Sequence, residues 1–144
     1  MEVKIKSLEY LKFSIGSYHS EYRHFIFEDG IITYKETQFD MEIEINPIVN
    51  LDKDFYLKLI EILNKSHFTS WQNKYEESNI VDGTEWSLEV KYNNRKTSKI
   101  TFGYNQFPFI IEKDGTNKII DCEKDFFKMM KLFNQIIKRK NYFH

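Results

Sequence analysis

The chain has 144 residues. That suits one domain with a real hydrophobic core, whereas a two-domain split would leave pieces near the size where a core alone rarely suffices. Lys and Arg number 21 against 22 Asp and Glu, and this balance gives no electrostatic reason to expect nucleic acid as a partner. A single cysteine, Cys122, excludes an internal disulfide and fits a reducing compartment. No run approaches the ~18 consecutive apolar residues of a membrane span, and the N-terminus has no apolar leader core, so a cytoplasmic location is expected. Heavy use of Lys, Asn and Ile fits an AT-rich bacterial genome. Aromatic residues make up 17% and carry much of the core volume.

In chain order, residues 3–15 alternate in two runs, Val3 and Ile5, then Leu11, Phe13 and Ile15. Period-2 alternation marks a half-buried strand, and the break near residues 7–9 predicts a bulge or bend. Gly16 through Ser20 reads as a loop. Two β-rich runs, 22–28 and 31–36, are joined by Asp29-Gly30. A type I′ turn needs positive φ at both central positions, which makes Asp-Gly a hairpin signal. Met41, Ile43 and Ile45 alternate with Glu42 and Glu44, which predicts a strand with an acidic face in water. Asn46-Pro47 ends it.

Residues 52–65 predict a helix, with Asp52 as N-cap and Leu51 and Tyr56 placed for a hydrophobic staple. Phe55, Leu59, Ile62 and Leu63 share its apolar face. The polar stretch after it leaves room for a short strand or turn before Asp82-Gly83. Residues 86–92 and 98–104 then read as strands about a turn at Asn93-Asn94. In the second, Ile100 and Phe102 are expected to face the same core, and Gly103 marks a bulge or a close approach. Residues 109–112 and 117–120 read as a third short hairpin. Asp121 caps a second helix over roughly 122–140, closed by Lys138, Arg139 and Lys140 against its dipole. The order ββ(β)α-ββ-(ββ)α predicts one α+β domain over residues 1–144. Its sheet is largely antiparallel, built from hairpins, with two helices packed on one face.

Chemistry-bearing patterns are sparse. His19, His24, His67 and His144 lack metal-ligand spacing, and His24 reads as a sheet histidine satisfied by its neighbours. Glu76-Glu77, Glu42/Glu44 and Asp52/Asp54 are pairs in sequence, but acid–base work needs opposed geometry and split pKa values. A GxSxG motif is absent, and five scattered glycines build no phosphate loop. Cys122 stands at a predicted helix start, where the dipole can lower a thiol pKa, but an inert cysteine is the plainer reading. The expectation is therefore no catalytic residue, no metal and no cofactor.

What remains is the stretch from Trp71 to Phe109. Trp71 is followed by Asp82-Gly83-x-x-Trp86 entering an alternating strand, then by Gly103-x-Asn105-x-x-Pro108. One reading is a structural corner. Asp82-Gly83 turns the chain, Trp86 packs inward, Gly103 admits a backbone or ring where a side chain would clash, Asn105 satisfies backbone groups in a turn, and Pro108 stiffens the exit. The other is a binding edge at Trp71, Trp86, Tyr104 and Asn105. The pattern W…DGxxWxLxV…GxNxxP resembles small bacterial domains with a C-terminal helix, most of which have no assigned activity. Here a further Asp-Gly hairpin intervenes before the helix. By analogy with immunity or accessory proteins encoded near secreted toxins, the resemblance implies a partner-binding role.

The expected function is non-enzymatic binding of another protein, with Asp40, Glu42 and Glu44 available to a basic partner. Two rivals stand beside it. One is a small-ligand module with a cavity lined by Trp71, Trp86 and Tyr104. The other is an enzyme with a deep pocket in which His24, His67 or Cys122 converges with a carboxylate. Uncovered edge strands leave a homodimer open.

Overall fold

The computed structural model describes residues 2–17, 21–38, 41–44, 49–76, 84–112 and 118–137. The strands are β1 (Leu8–Ser17), β2 (Tyr22–Glu28), β3 (Ile31–Gln38), β4 (Met41–Glu44), β5 (Val49–Asn50), β6 (Lys74–Glu76), β7 (Thr84–Tyr92), β8 (Lys99–Tyr104), β9 (Phe109–Ile111) and β10 (Ile119–Asp121). The helices are α1 (Lys53–Lys65) and α2 (Glu123–Ile136), with a 3-10 turn at Phe68–Ser70. The main sheet runs β4-β3-β2-β1-β7-β8-β6, with β5 also paired to β3, while β9 and β10 form a separate ribbon. All pairings are antiparallel except β6 on β8, which is parallel. The fold is thus α+β with a large, mostly antiparallel sheet.

Local signals place many of these elements. Asp29 and Gly30 take φ of 50° and 80°, the left-handed pair that a tight hairpin requires. Asn93 and Asn94, both at φ 53°, turn the chain between β7 and β8. The Asp52 side chain accepts from the Phe55 N–H at 2.9 Å and caps α1. At α2 the N-cap position is Cys122 rather than Asp121. The Asp121 carboxylate nevertheless accepts from the Glu123 N–H at 2.9 Å, so the cap comes from one residue further out.

The N-terminal run differs from expectation. β1 begins at Leu8, and residues 2–7 belong to no strand. Asparagine side chains replace the ladder there. The Asn64 amide donates to Ile5 O and accepts from Ile5 N–H, at 3.0 and 2.9 Å. Asn93 accepts from Lys6 and Ser7 N–H and donates to Lys4 O. These bonds hold Ile5 in the core without a partner strand. The expected bulge is present: the β1–β7 register shifts between Leu8 and Tyr10. Gly16 and Ser17 extend β1 instead of opening a loop.

One face of the sheet is closed by both helices. Phe13 packs on Phe126 and Phe133 of α2, Phe25 stacks on Phe133, and Phe27 meets Tyr56 of α1. Side chains alternate across a strand, so Ser14, His24, Glu85, Ser87, Phe102 and Tyr104 belong to the opposite face, which no helix among the described residues covers. Among the described residues no helix is long and apolar enough to cross a membrane.

Candidate functional site

The stretch from Trp71 builds the inner corner. Trp71 and Trp86 are each 3% exposed, with ring centroids 5.9 Å apart in a T-shaped contact. Trp71 Nε1 donates to Ser66 O at 2.7 Å and Trp86 Nε1 to Gln106 O at 3.0 Å. A buried indole needs such an acceptor, so both rings are fixed in place. Gly103 of β8 stands opposite Trp86 of β7 and opposite Tyr75 of β6. A Cβ at Gly103 would lie 2.0 Å from the Trp86 indole, so the ring occupies the space a side chain would need. Asn105 takes φ 57°, and its N–H donates to Thr84 O at 2.8 Å. Pro108 is buried, and its carbonyl accepts from Cys122 N–H at 3.0 Å. Asp82 and Gly83 lie outside the described residues, as does Asp40.

The outer face of the same strands carries a groove of about 730 Å³. Its floor is Ser14 of β1 and Ser87 of β7, which are register partners. His24 of β2 stands on one side, and Phe102 and Tyr104 of β8 stand on the other. Small residues on the two central strands and rings on the flanking strands make this hollow. Gly16 shapes its end. A Cβ there would meet Tyr22 Cγ at 2.8 Å, so the Tyr22 ring crosses β1 over the glycine. Glu85 is the register partner of Gly16, and Tyr22 Oη donates to its carboxylate. Burial, then that hydrogen bond, pushes the Tyr22 phenol up to about 12, so the ring stays neutral.

His24 is consumed by its own sheet. Its Nδ1 lies 2.6 Å from Ser14 Oγ and its Nε2 2.5 Å from Thr37 Oγ1. Either hydroxyl can donate or accept, so a neutral ring is satisfied in either tautomer. Burial lowers the His24 pKa and outweighs the opposing influence of Glu42. Cys122 is 1% exposed, and burial pushes its thiol up to about 11, the reverse of activation by a helix dipole. His67 bonds Glu2 at 2.7 Å, far along the chain from either residue.

The sequence-predicted residues therefore separate. Trp71 stays in the core, Trp86 borders the groove, and Tyr104 lines it from the outer face. Glu42 sits on the β4 edge strand and takes Lys12 Nζ at 3.1 Å, a bond that lowers its pKa. Glu44 pairs with Lys35 in the ladder. Both sides of β4 face water, since Met41 is 66% exposed. Sequence reading missed Ser14, Gly16, Tyr22, Glu85 and Ser87, and its placing of Ile100 and Phe102 in the core is corrected by the structure, where they are 39% and 54% exposed on the outer side. One bare signal was available, a glycine inside an otherwise strand-like run. Phe102 shares the apolar side of its strand's alternation with Ile100 and Tyr104, but the inner side is taken by Thr101, whose hydroxyl donates to Gln72 O, and by Gly103 under the Trp86 ring.

Among the described residues no three His, Cys, Asp or Glu side chains are grouped to hold a metal ion. Comparison of the chain with protein-family models and with curated protein sequences gives no match.

Proposed function

We propose that the protein acts by binding another protein, non-enzymatically, through the face of its sheet opposite the helices. The observation that carries this reading is the groove floored by Ser14 and Ser87 and flanked by rings. Phe102 beside it is 54% exposed and Ile100, on the same face, 39%. Exposed rings around a hollow rimmed by charge are the usual material of contact surfaces. The polar groups there are engaged with one another, as His24 is with Ser14 and Thr37, which favours a passive surface over acid–base work. Glu42 and Glu44 on the β4 edge extend the contact toward a basic partner. The resemblance of the Trp71–Pro108 pattern to small bacterial domains gives the proposal its concrete form, a cytoplasmic immunity or accessory protein that neutralises a toxin by covering it.

The test is affinity capture from cells that make the protein, comparing wild type, Phe102→Ser and an Asp40/Glu42/Glu44→Lys variant. A partner held by wild type should be lost with Phe102→Ser and weakened by the lysine variant. Phe102→Ser should shift stability by no more than about 0.5 kcal/mol, because the ring is already in water. Equal capture by all three proteins would remove the outer face from the proposal.

A further inference from the structure

We propose that the Glu85 end of the groove receives a lysine or arginine side chain of the partner protein. The inference rests on the groove being the contact surface and adds the chemistry of what enters it.

Glu85 is half-buried and accepts from Tyr22 Oη. Among the described residues no Lys or Arg pairs with it. The other carboxylates of that register row are answered. Glu42 has Lys12 at 3.1 Å, and Glu76, across Tyr104 from Glu85, has Lys74 at 3.2 Å. An ionised carboxylate offers about four acceptor positions, and a neutral phenol fills one. The Tyr22 phenol, held at about 12, supplies a proton but no positive charge. A cation is the group that completes this carboxylate, and a charge-assisted bond is the stronger kind.

The walls suit the same guest. Tyr22, Phe102 and Tyr104 present rings around the hollow, and ring faces attract ammonium and guanidinium groups. A lysine or arginine stem packs along apolar surface while its head reaches the charge. Three inter-strand steps separate β2 from β8, about 14 Å between backbones, and the flanking rings stand within that span, leaving room for a side chain. The hydroxyls of Ser14 and Ser87 line the floor.

The experiment titrates the full chain with capped tripeptides carrying lysine, arginine, norleucine or citrulline between glycines, followed by amide NMR. Lysine and arginine peptides should shift Ser14, Tyr22, Ser87 and Phe102, and should bind at least about tenfold more tightly than their neutral isosteres. Glu85→Gln keeps an oxygen for Tyr22 and leaves the spectrum folded, but should abolish that preference. Equal binding of the isosteres, a preference that survives Glu85→Gln, or no shift at the groove would each overturn the proposal. In the capture assay, a partner lost with Phe102→Ser but retained undiminished by Glu85→Gln would sink the cation and leave the contact surface standing. A partner retained by both variants would sink both.

Discussion

Trp86 and Glu85 are neighbours on one strand, and they face surfaces of opposite character. On the inner side Trp86 closes over Gly103 and packs against Phe126 at 4.8 Å between ring centroids. On the outer side Tyr22 closes over Gly16 and reaches Glu85. The same device, a ring laid across a glycine of the adjacent strand, serves both sides. Where helices cover the sheet it fills the core. Where nothing among the described residues covers it, it builds the end of a groove. The difference lies in what stands above the strand, since the local chemistry is alike.

Breaking the inner side should have the largest effect. Trp86→Ala should cost about 3–5 kcal/mol of unfolding free energy by urea denaturation, because it removes a buried ring and leaves a cavity. Wild-type stability in that variant would mean the ring is not core. Gly103→Ala comes next, at about 1–3 kcal/mol, since the indole must give way to the new methyl group. A fluorescence change at the tryptophans should accompany it, and an unperturbed spectrum would contradict the close approach.

The mildest separation uses alkaline pH. Cys122 on the inner side rises from 9.0 to about 11, and Tyr22 on the outer side from 10.0 to about 12. Both folded values exceed the unfolded ones, so the unfolded chain loses its protons first. Their contributions are complete below about pH 9 and are lost as pH climbs through 11 and then 12. Unfolding midpoints measured between pH 8 and 12 should fall in that window, and Cys122→Ala should flatten the lower part of the fall. Glu85→Ala should bring the Tyr22 absorbance titration down only part of the way, because burial is the larger cause. A return to 10.0 would assign the whole shift to the carboxylate.

Much of the fold was legible because its signals are short-range. The Asp29-Gly30 hairpin, the Asp52 cap, the apolar faces of α1 and α2 and the bulge near residue 8 each follow from a few adjacent residues. The corner was legible in part: Gly103 was singled out for a close approach, and the approaching ring is Trp86. The groove was not legible. Its floor needs Ser14 beside Ser87, and that register joins strands about seventy residues apart. Ser14 in isolation is only a polar residue on the outer side of a strand. Likewise Asn64 and Asn93 read as a helix-end residue and a turn residue, and nothing near either marks it as a clamp on residues 4–7.

The sequence by itself determined the α+β class, the hairpins and the helix faces, since alternation, capping and turn chemistry act within a few residues, and it left the tryptophan stretch open between a packed corner and a binding edge. Tertiary structure alone decided that β1 pairs with β7 at the centre of the sheet and that β6 joins in parallel. It also decided that Glu85 meets Tyr22 across a glycine. Those facts depend on long-range register, where pairing energy is shared among many residues and no single residue carries the code.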